Sequence, residues 1–231
     1  MSRYLIIINF RTVITLALSL LVPLIAYQFK VVYNIDLTLM SIAIIFPLVF
    51  TIRGAFRRRE KALEHLSRFR ASLKTVEKFF QNSKMDDTLK TESSRLVLEL
   101  SNALFNHLSN KSEDTSNFDI KVEEFYKFID KSKEIISNGT REKIYRLFRD
   151  IIESSDNLIA IHSHRTPVSL KAYCLIFIYI FPVVYTPTII NNIGLENPCW
   201  LTFFIVALSE FILISLYNIQ DQMEYPFDDE G

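Results

Sequence analysis

Four long apolar runs constrain this chain more than any other feature of its sequence. They cover residues 13–29, 37–52, 174–190 and 200–217, and Glu210 is the one charged residue inside them. Each run approaches the ~20 residues that a helix needs to cross a hydrocarbon core about 30 Å thick. A helix that is apolar on every side is buried in protein or lies in lipid, so four buried helices of a soluble bundle are the alternative. Because a short chain offers little interior for four such helices, the runs predict transmembrane helices at about 12–29, 37–53, 171–190 and 199–217.

The basic residues predict which ends of these helices face the cytoplasm. Arg3 and Arg11 precede the first run, and a dense basic segment that begins at Arg53 follows the second. The turn at 191–198 contains neither Lys nor Arg, and the turn between the first two runs has only Lys30. The positive-inside rule then places both termini and the long middle section in the cytoplasm. The predicted organisation is a membrane hairpin over 1–53, a cytoplasmic helical domain over 54–169, a second hairpin over 170–217 and an acidic tail over 218–231.

The middle section holds much of the 23% of residues that are charged, and its apolar residues recur at helical spacing, which predicts roughly four helices. The apolar stripes comprise Leu63, Leu66, Phe69, Leu73, Val76 and Phe80; Leu96, Leu98, Leu100, Leu104 and Leu108; Val122, Phe125, Phe128 and Ile129; and Ile144, Leu147, Phe148, Ile151 and Ile152. Breaks are predicted at 82–87, 110–117 and 137–140.

Three local signals refine these boundaries. Gly54 alone does not break a helix, so the first helix of the middle section is predicted to continue the second membrane helix. Asn138 and Gly139 favour a helix stop, and the hydroxyl of Thr140 is predicted to cap the last helix.

The chain lacks the sequence patterns of the common enzymes and nucleic-acid binders. Lys and Arg total 26 and Asp and Glu total 26, so no net basic field points to nucleic acid as a partner. There is no glycine-rich phosphate loop, zinc-type cysteine pair or nucleophile elbow, and an enzyme is therefore not expected. Cys174 and Cys199 fall near opposite faces of the predicted membrane, too far apart for a disulfide.

Two smaller features leave alternatives open. The pair His162 and His164 could bind a metal in extended chain, but a polar helix end before Pro167 is favoured. Glu210 is an acid inside a predicted membrane helix, which is a functional candidate by default. It could equally pair with a hydroxyl or lie at a contact between subunits.

The acidic tail follows a helix that Pro226 is predicted to stop near Tyr225. Carboxylates and exposed carbonyls at a helix end are hard oxygen ligands that suit Ca²⁺, whereas a solvated acidic terminus is the more common outcome and is favoured here.

Three segments of the sequence resemble the bestrophin family. The stretch from Gln222 to Asp229 is similar to the bestrophin tail, in which Gln or Glu precedes a Pro-Phe pair and acidic residues follow. Residues 165–173 resemble the family's Thr-Pro-x-Pro-x-x-Tyr approach to the third membrane helix, with Ser169 in place of the second proline. Residues 55–58 resemble its Ala-Tyr-Asp-Arg stretch, although the usual Trp-Trp pair is replaced by Arg59 and Glu60.

The resemblance implies an ion channel that assembles as a homopentamer around one axial pore. In bestrophins the second membrane helix lines a narrow hydrophobic neck, most characterised animal members conduct chloride, and some prokaryotic relatives conduct cations. The expected fold is an all-α membrane protein with four transmembrane helices and a cytoplasmic helical domain. The expected partners are other copies of the chain, the lipid bilayer of a plasma or bacterial inner membrane, and permeant anions such as chloride.

The resemblance also assigns residues to this pore. The similarity at 55–58 places the neck on Ile42, Phe46 and Phe50, which lie four residues apart on one helix face. A two-residue shift of the alignment would place it on Leu48 and Ile52 instead. A ring of such side chains can gate by dewetting, and the positive edges of phenylalanine rings tolerate anions. The alternative is that these residues only face lipid or neighbouring helices.

Two further sites are implied by the family. Bestrophin pores narrow again in the cytoplasm, and Ile144, Leu147 and Ile151 are the candidates for that constriction, although ordinary helix packing is favoured for them. The animal calcium clasp would correspond here to the backbone carbonyls of Gln222 and Tyr225 and the carboxylates of Asp228, Asp229 and Glu230. We expect an oligomeric anion channel, with a cation channel of the same fold or a poreless membrane-anchored scaffold as the alternatives.

Overall fold

The structure, a computed structural model, describes residues 8–109, 114–164, 166–194, 198–224 and 227. All regular secondary structure in these ranges is helical, which confirms the predicted all-α fold. The α-helices are α1 (Phe10–Gln28), α2 (Thr38–Gln81), α3 (Asp87–Ser109), α4 (Ser116–Lys131), α5 (Asn138–Ser163), α6 (Val168–Ile193) and α7 (Cys199–Met223). A short 3₁₀ helix, Ser132–Glu134, follows α4.

Four of these helices are long and apolar enough to cross a membrane, namely α1, α2, α6 and α7. They contain the four apolar runs to within one residue, so the prediction of four candidate membrane spans is confirmed by length and composition. The chain divides into two compact units. We call residues 1–57 and 166–224 the apolar unit, and residues 58–165 and 225–231 the charged unit.

In the apolar unit, α1 packs antiparallel against α7 through small polar residues. The Tyr27 and Thr202 hydroxyls hydrogen-bond at 2.8 Å near one end of the pair, and the amide of Asn218 donates to the Thr12 hydroxyl at 2.9 Å near the other. Thr12, Thr15 and Ser19 are fully buried along this face of α1. Side chains this small let helix backbones approach closely, as in other membrane helix pairs.

The apolar helices contain prolines, each of which removes one backbone hydrogen bond. A proline has no N–H, so the carbonyl four residues earlier loses its regular helical donor. Pro187 in α6 frees the carbonyl of Val183 in this way, and the hydroxyl of Tyr33 donates to that carbonyl at 3.3 Å. In an apolar environment such replacement donors are what make a proline tolerable inside a helix.

The helix α2 runs without interruption for 44 residues, from Thr38 to Gln81. It passes through Gly54, which confirms the prediction that the second apolar helix continues into the charged sequence.

The charged unit has a core built from the predicted apolar stripes. Phe80 of α2 is fully buried and makes edge-on contacts with Phe125 and Phe128 of α4, at ring-centroid distances of 6.2 and 5.3 Å. Leu100 of α3 and Ile144 of α5 are fully buried in the same cluster.

The predicted N-cap of the last helix in this unit, Thr140, is wrong by three residues. Helix α5 begins at Asn138, and Ser137 takes the N-cap position with an extended backbone, φ −60° and ψ 147°. The Thr140 hydroxyl pairs with the Ser137 hydroxyl at 2.9 Å and does not cap the helix. Asn138 and Gly139 are therefore the first residues of a helix and do not stop the preceding one, which ends at Lys131.

Candidate functional site

The apolar half of α2 has a buried face and an exposed face. Ile44, Leu48, Thr51 and Ala55 recur at helical spacing and are at most 3% exposed. The predicted neck residues Ile42, Phe46 and Phe50 lie on the opposite side and are 46%, 56% and 60% exposed. An apolar row of this size that no other described residue covers is typical of a surface that contacts another molecule, another copy of the chain or lipid.

The alternative neck residues have a different environment. Leu48 is 1% exposed and packs in a cluster with Cys174, Ile178 and Ile214, and Ile52 is partly buried against the same cluster. A side chain that is already covered by its own chain has little surface left to offer to a pore. The packing therefore favours Ile42, Phe46 and Phe50 over the shifted alignment.

The exposed face continues into a basic segment. Arg53 and Arg57 follow Phe46 and Phe50 at intervals of three and four residues, so all four lie on one side of α2. Arg53 and Arg57 are both exposed. The row thus changes from two aromatic rings, whose centroids are 6.0 Å apart, to two permanent positive charges.

The residues predicted for a second constriction lie in the core of the charged unit. Ile144 and Ile151 have no exposed surface, and Leu147 is half-buried against the same cluster. This is the helix-packing role that was favoured for them from the sequence, and the proposed pore does not include these residues.

The calcium prediction falls mostly outside the described residues. Gln222 is half-buried in the last turn of α7, while Tyr225, Asp228, Asp229 and Glu230 lie outside the described residues. Within the described part of the chain, no group of three or more His, Cys, Asp or Glu side chains is arranged to hold a metal ion. The calcium clasp stays a prediction.

His162 and His164 lie at the end of α5, as favoured from the sequence. The centroid of the His162 ring lies 5.8 Å from that of His107 and 6.1 Å from that of Phe227, so the ring packs among other rings of the charged unit. Cys174 is buried, Cys199 is exposed, and both are free thiols.

A network of ion pairs that was not predicted lies at one end of the apolar unit. The Lys171 ammonium of α6 binds the carboxylates of Asp221, at 2.8 Å, and of Glu224, which is 2% exposed. Arg11 of α1 binds the other oxygen of Asp221 at 3.3 Å. Glu224 also accepts the backbone N–H of Thr166 at 2.7 Å, ahead of α6.

This network joins the start of α1, the start of α6 and the end of α7. The side-chain amides of Asn9 and Asn218 extend it with a 3.0 Å hydrogen bond. A signal for it exists in the sequence, because the predicted topology brings the basic residues before two apolar runs to the same side as the acidic residues after the fourth. The sequence carries no signal for which individual residues pair, since the partners lie 50 or more positions apart.

No known family model matches this sequence, and no curated protein is similar to it. Solved structures are similar in fold. Two structures of a bacterial bestrophin homologue from Klebsiella pneumoniae align with TM-scores of 0.78 at 13% identity, one over 95% of this chain and 89% of that chain, the other over 94% and 88%. The chain has the bestrophin fold. A further structure, of a membrane protein, aligns with this chain at a TM-score of 0.79 and 12% identity, over 95% of this chain and 91% of that one.

At this level of identity the likeness establishes the fold. The bestrophin fold and the four apolar helices together support an integral membrane protein.

Proposed function

We propose that this protein is an ion channel of the bestrophin type, which conducts anions such as chloride through one axial pore of a homopentamer. The similarity in fold supports this proposal, since it covers 95% of the chain and includes all four apolar helices. Of the segments that resemble bestrophins, 55–58 lies on α2. Residues 166–173 of the other segment form the approach to α6 and its first turns.

The observation that carries the proposal is the uncovered apolar face of α2. Ile42, Phe46 and Phe50 are each about half exposed in the single chain, while the opposite face of the helix is buried. With five copies of α2 around an axis, these side chains would form three stacked hydrophobic rings. Such a constriction conducts when it is wetted and closes when it loses its water.

The basic end of the same face favours anions. In a ring of five subunits, Arg53 and Arg57 would place ten guanidinium groups beside the neck. Rings of Arg or Lys raise the local concentration of anions and repel cations. Phenylalanine edges carry partial positive charge, which adds a weaker preference of the same sign in the neck.

The basic segment of α2 that begins at Arg53 also supports the proposed orientation. By the positive-inside rule, both termini and the charged unit lie in the cytoplasm, and the membrane is a plasma or bacterial inner membrane.

The test is current recording from purified protein in planar bilayers under a KCl gradient. A reversal potential near that of Cl⁻ supports an anion channel, whereas one near that of K⁺ supports a cation channel of the same fold. In the double variant Arg53→Glu and Arg57→Glu, the anion preference should fall or reverse. Lys143→Glu, at an exposed position of α5, is the matched control and should leave the reversal potential unchanged.

The poreless scaffold makes a different prediction in the same experiment. It gives no current in any salt, and its mass in detergent does not correspond to five copies of the 27.0 kDa chain. Five-fold assembly without current under the KCl gradient would count against the channel.

A further inference from the structure

Glu210 is completely buried inside the apolar unit. It is 0% exposed, and neither carboxyl oxygen has a hydrogen-bond partner among the described residues. Val206 and Ile214, one turn away on each side along α7, are also 0% exposed. An ionised carboxylate in such surroundings is costly unless something positive accompanies it.

The helix contacts set which residues of α1 and α6 lie at the height of this carboxyl group. The bonds from Tyr27 to Thr202 and from Thr12 to Asn218 fix the α1–α7 register, which places Ser19 level with Glu210. In the same way, the Lys171–Asp221 ion pair fixes the α6–α7 register, which places Pro182 at that level.

Thr186 of α6 lies one helical turn beyond this level. Helical side chains lean toward the N-terminus of their own helix, and α6 and α7 are antiparallel. The Glu210 and Thr186 side chains therefore lean toward each other. Thr186 is 0% exposed, and its hydroxyl oxygen also has no hydrogen-bond partner among the described residues.

Prolines add backbone oxygens to this region. Pro23 has no N–H to offer to the carbonyl of Ser19, and Pro182 has none for the carbonyl of Ile178. Both carbonyls point toward the C-terminal end of their helices, and hence toward the level of Glu210 and Thr186. The register therefore places these carbonyl oxygens at about the height of the Glu210 carboxyl group.

The charged side chains on the packed helices lie elsewhere, whereas Tyr179 and Tyr185 of α6 lie within about one helical turn of the level of Glu210. Arg11 and Lys171 are bound to Asp221, eleven residues or about 16 Å along α7 from Glu210. Tyr27 of α1 is bound to Thr202 toward the other end of the helix pair. The remaining titratable groups on these helices are Cys174, Tyr173, Tyr179 and Tyr185 on α6 and Cys199 and Tyr217 on α7, and 38–52 of α2 contains none.

We propose that Glu210, the Thr186 hydroxyl and the carbonyl of Ser19 form a buried site for one small monovalent cation, either a proton or Na⁺. A single positive charge neutralises the carboxylate, whereas a divalent ion would leave a net charge in an apolar interior. Carboxylates and free helix carbonyls bind H⁺ and Na⁺ in this way between membrane helices. The site lies on the face of α7 that packs against α1 and α6, so it is separate from the proposed neck.

The test compares the wild type with Glu210→Gln, which keeps the shape of the neutral acid and has no charge to compensate. Thermal unfolding of the purified protein in detergent is followed from about pH 5 to about pH 9, with NaCl or with N-methylglucamine chloride. Glu142→Gln, an exposed position on α5, is the matched control. Thr186→Val removes one proposed ligand at nearly constant volume.

For a bound proton, the equilibrium constant for unfolding of the wild type rises with pH by up to about tenfold per pH unit, independently of Na⁺. The reason is that the folded state holds a proton that the unfolded carboxyl group has released. For bound Na⁺, the wild type is stabilised by added NaCl at the alkaline end of the range. In either case, the dependence of unfolding on pH or on Na⁺ is lost in Glu210→Gln. It is weakened in Thr186→Val and persists in Glu142→Gln.

The same pH and Na⁺ dependence in wild type and Glu210→Gln overturns the proposal. Infrared spectroscopy of the wild type decides the matter if Glu210→Gln does not fold. A buried protonated carboxyl gives a distinct C=O stretching band that resists exchange with solvent. The absence of that band without Na⁺, combined with no effect of Na⁺ on stability, also overturns the proposal.

Discussion

The Tyr173 hydroxyl of α6 donates a 3.4 Å hydrogen bond to the backbone carbonyl of Ala43 in α2. That carbonyl is the one that Pro47, four residues later, leaves without a helical donor. Tyr33 and Val183 repeat the arrangement at Pro187. In both places a tyrosine from another part of the apolar unit supplies the hydrogen bond that a proline removes.

This relationship predicts a specific double-mutant cycle. Tyr173→Phe should lower the free energy of unfolding by about 0.5–1.5 kcal/mol, because the Ala43 carbonyl loses its replacement donor. Pro47→Ala restores a backbone N–H at the same carbonyl, so Tyr173→Phe should cost less in that background. Chemical denaturation in detergent micelles measures both differences. Equal costs in the two backgrounds would show that the tyrosine acts by packing alone.

The proposed neck predicts an effect on conductance. Replacing Ile42, Phe46 and Phe50 together by Ala widens the hydrophobic constriction and makes it easier to wet, so single-channel conductance should rise and closures should become rarer. Ile45→Ala with Val49→Ala is the control, since these residues are similarly exposed on a neighbouring face of α2. An unchanged conductance in the triple variant would exclude this placement of the neck.

The ion-pair network predicts unequal effects of two lysines. Lys171→Met leaves Asp221 and the buried Glu224 without their shared cation, which should cost about 3 kcal/mol of unfolding free energy. Adding Glu224→Gln should recover much of that loss. Lys61→Met breaks an ion pair with Glu64 whose side chains are both 61% exposed, and it should leave the midpoint of thermal unfolding unchanged. Similar midpoints for Lys171→Met and Lys61→Met would contradict a structural role for the network.

Acid stability of the charged unit should depend on Glu99. The Lys121 ammonium, 3.1 Å from Oε2 of Glu99, and the hydrogen bond from Arg95 lower the pKa of Glu99 below its ordinary value of 4.5. A carboxyl group whose pKa is lowered by folding contributes its full stabilisation above the unfolded value, and this contribution is lost as the pH falls below it. The midpoint of thermal unfolding should therefore fall less steeply below about pH 4.5 in Glu99→Gln than in the wild type. Glu142→Gln should keep the wild-type slope, and a wild-type slope in Glu99→Gln would refute the assignment.

The sequence predicts the helices well because hydropathy over a full run decides them. The continuity of α2 through Gly54 was also predictable, since a lone glycine costs a helix only about 1 kcal/mol. The start of α5 was not, because Ser137 and Thr140 are both good capping residues, and the choice between them depends on the backbone of the preceding turn.

Packing was predictable only where one side of a helix is covered by its own chain. Leu63 and Leu98 belong to predicted apolar stripes, yet they are 61% and 60% exposed and line a groove of about 620 Å³ between α2 and α3. Hydropathy does not say whether the same chain covers such a residue. For the same reason, the sequence could not decide which residue belongs to the proposed neck, Leu48, which is buried, or Phe46, which is exposed.

The pairing of α1 with α7 has a consequence for synthesis. Thr12 and its partner Asn218 are separated by 206 residues, which a ribosome adds in roughly 10–40 s. During that interval α1 has emerged, but its polar residues Asn9 and Thr12 lack the partners that α7 will bring. The fold closes only when the last helix arrives, so a nascent chain truncated before α7 should remain a substrate for membrane chaperones and quality-control proteases.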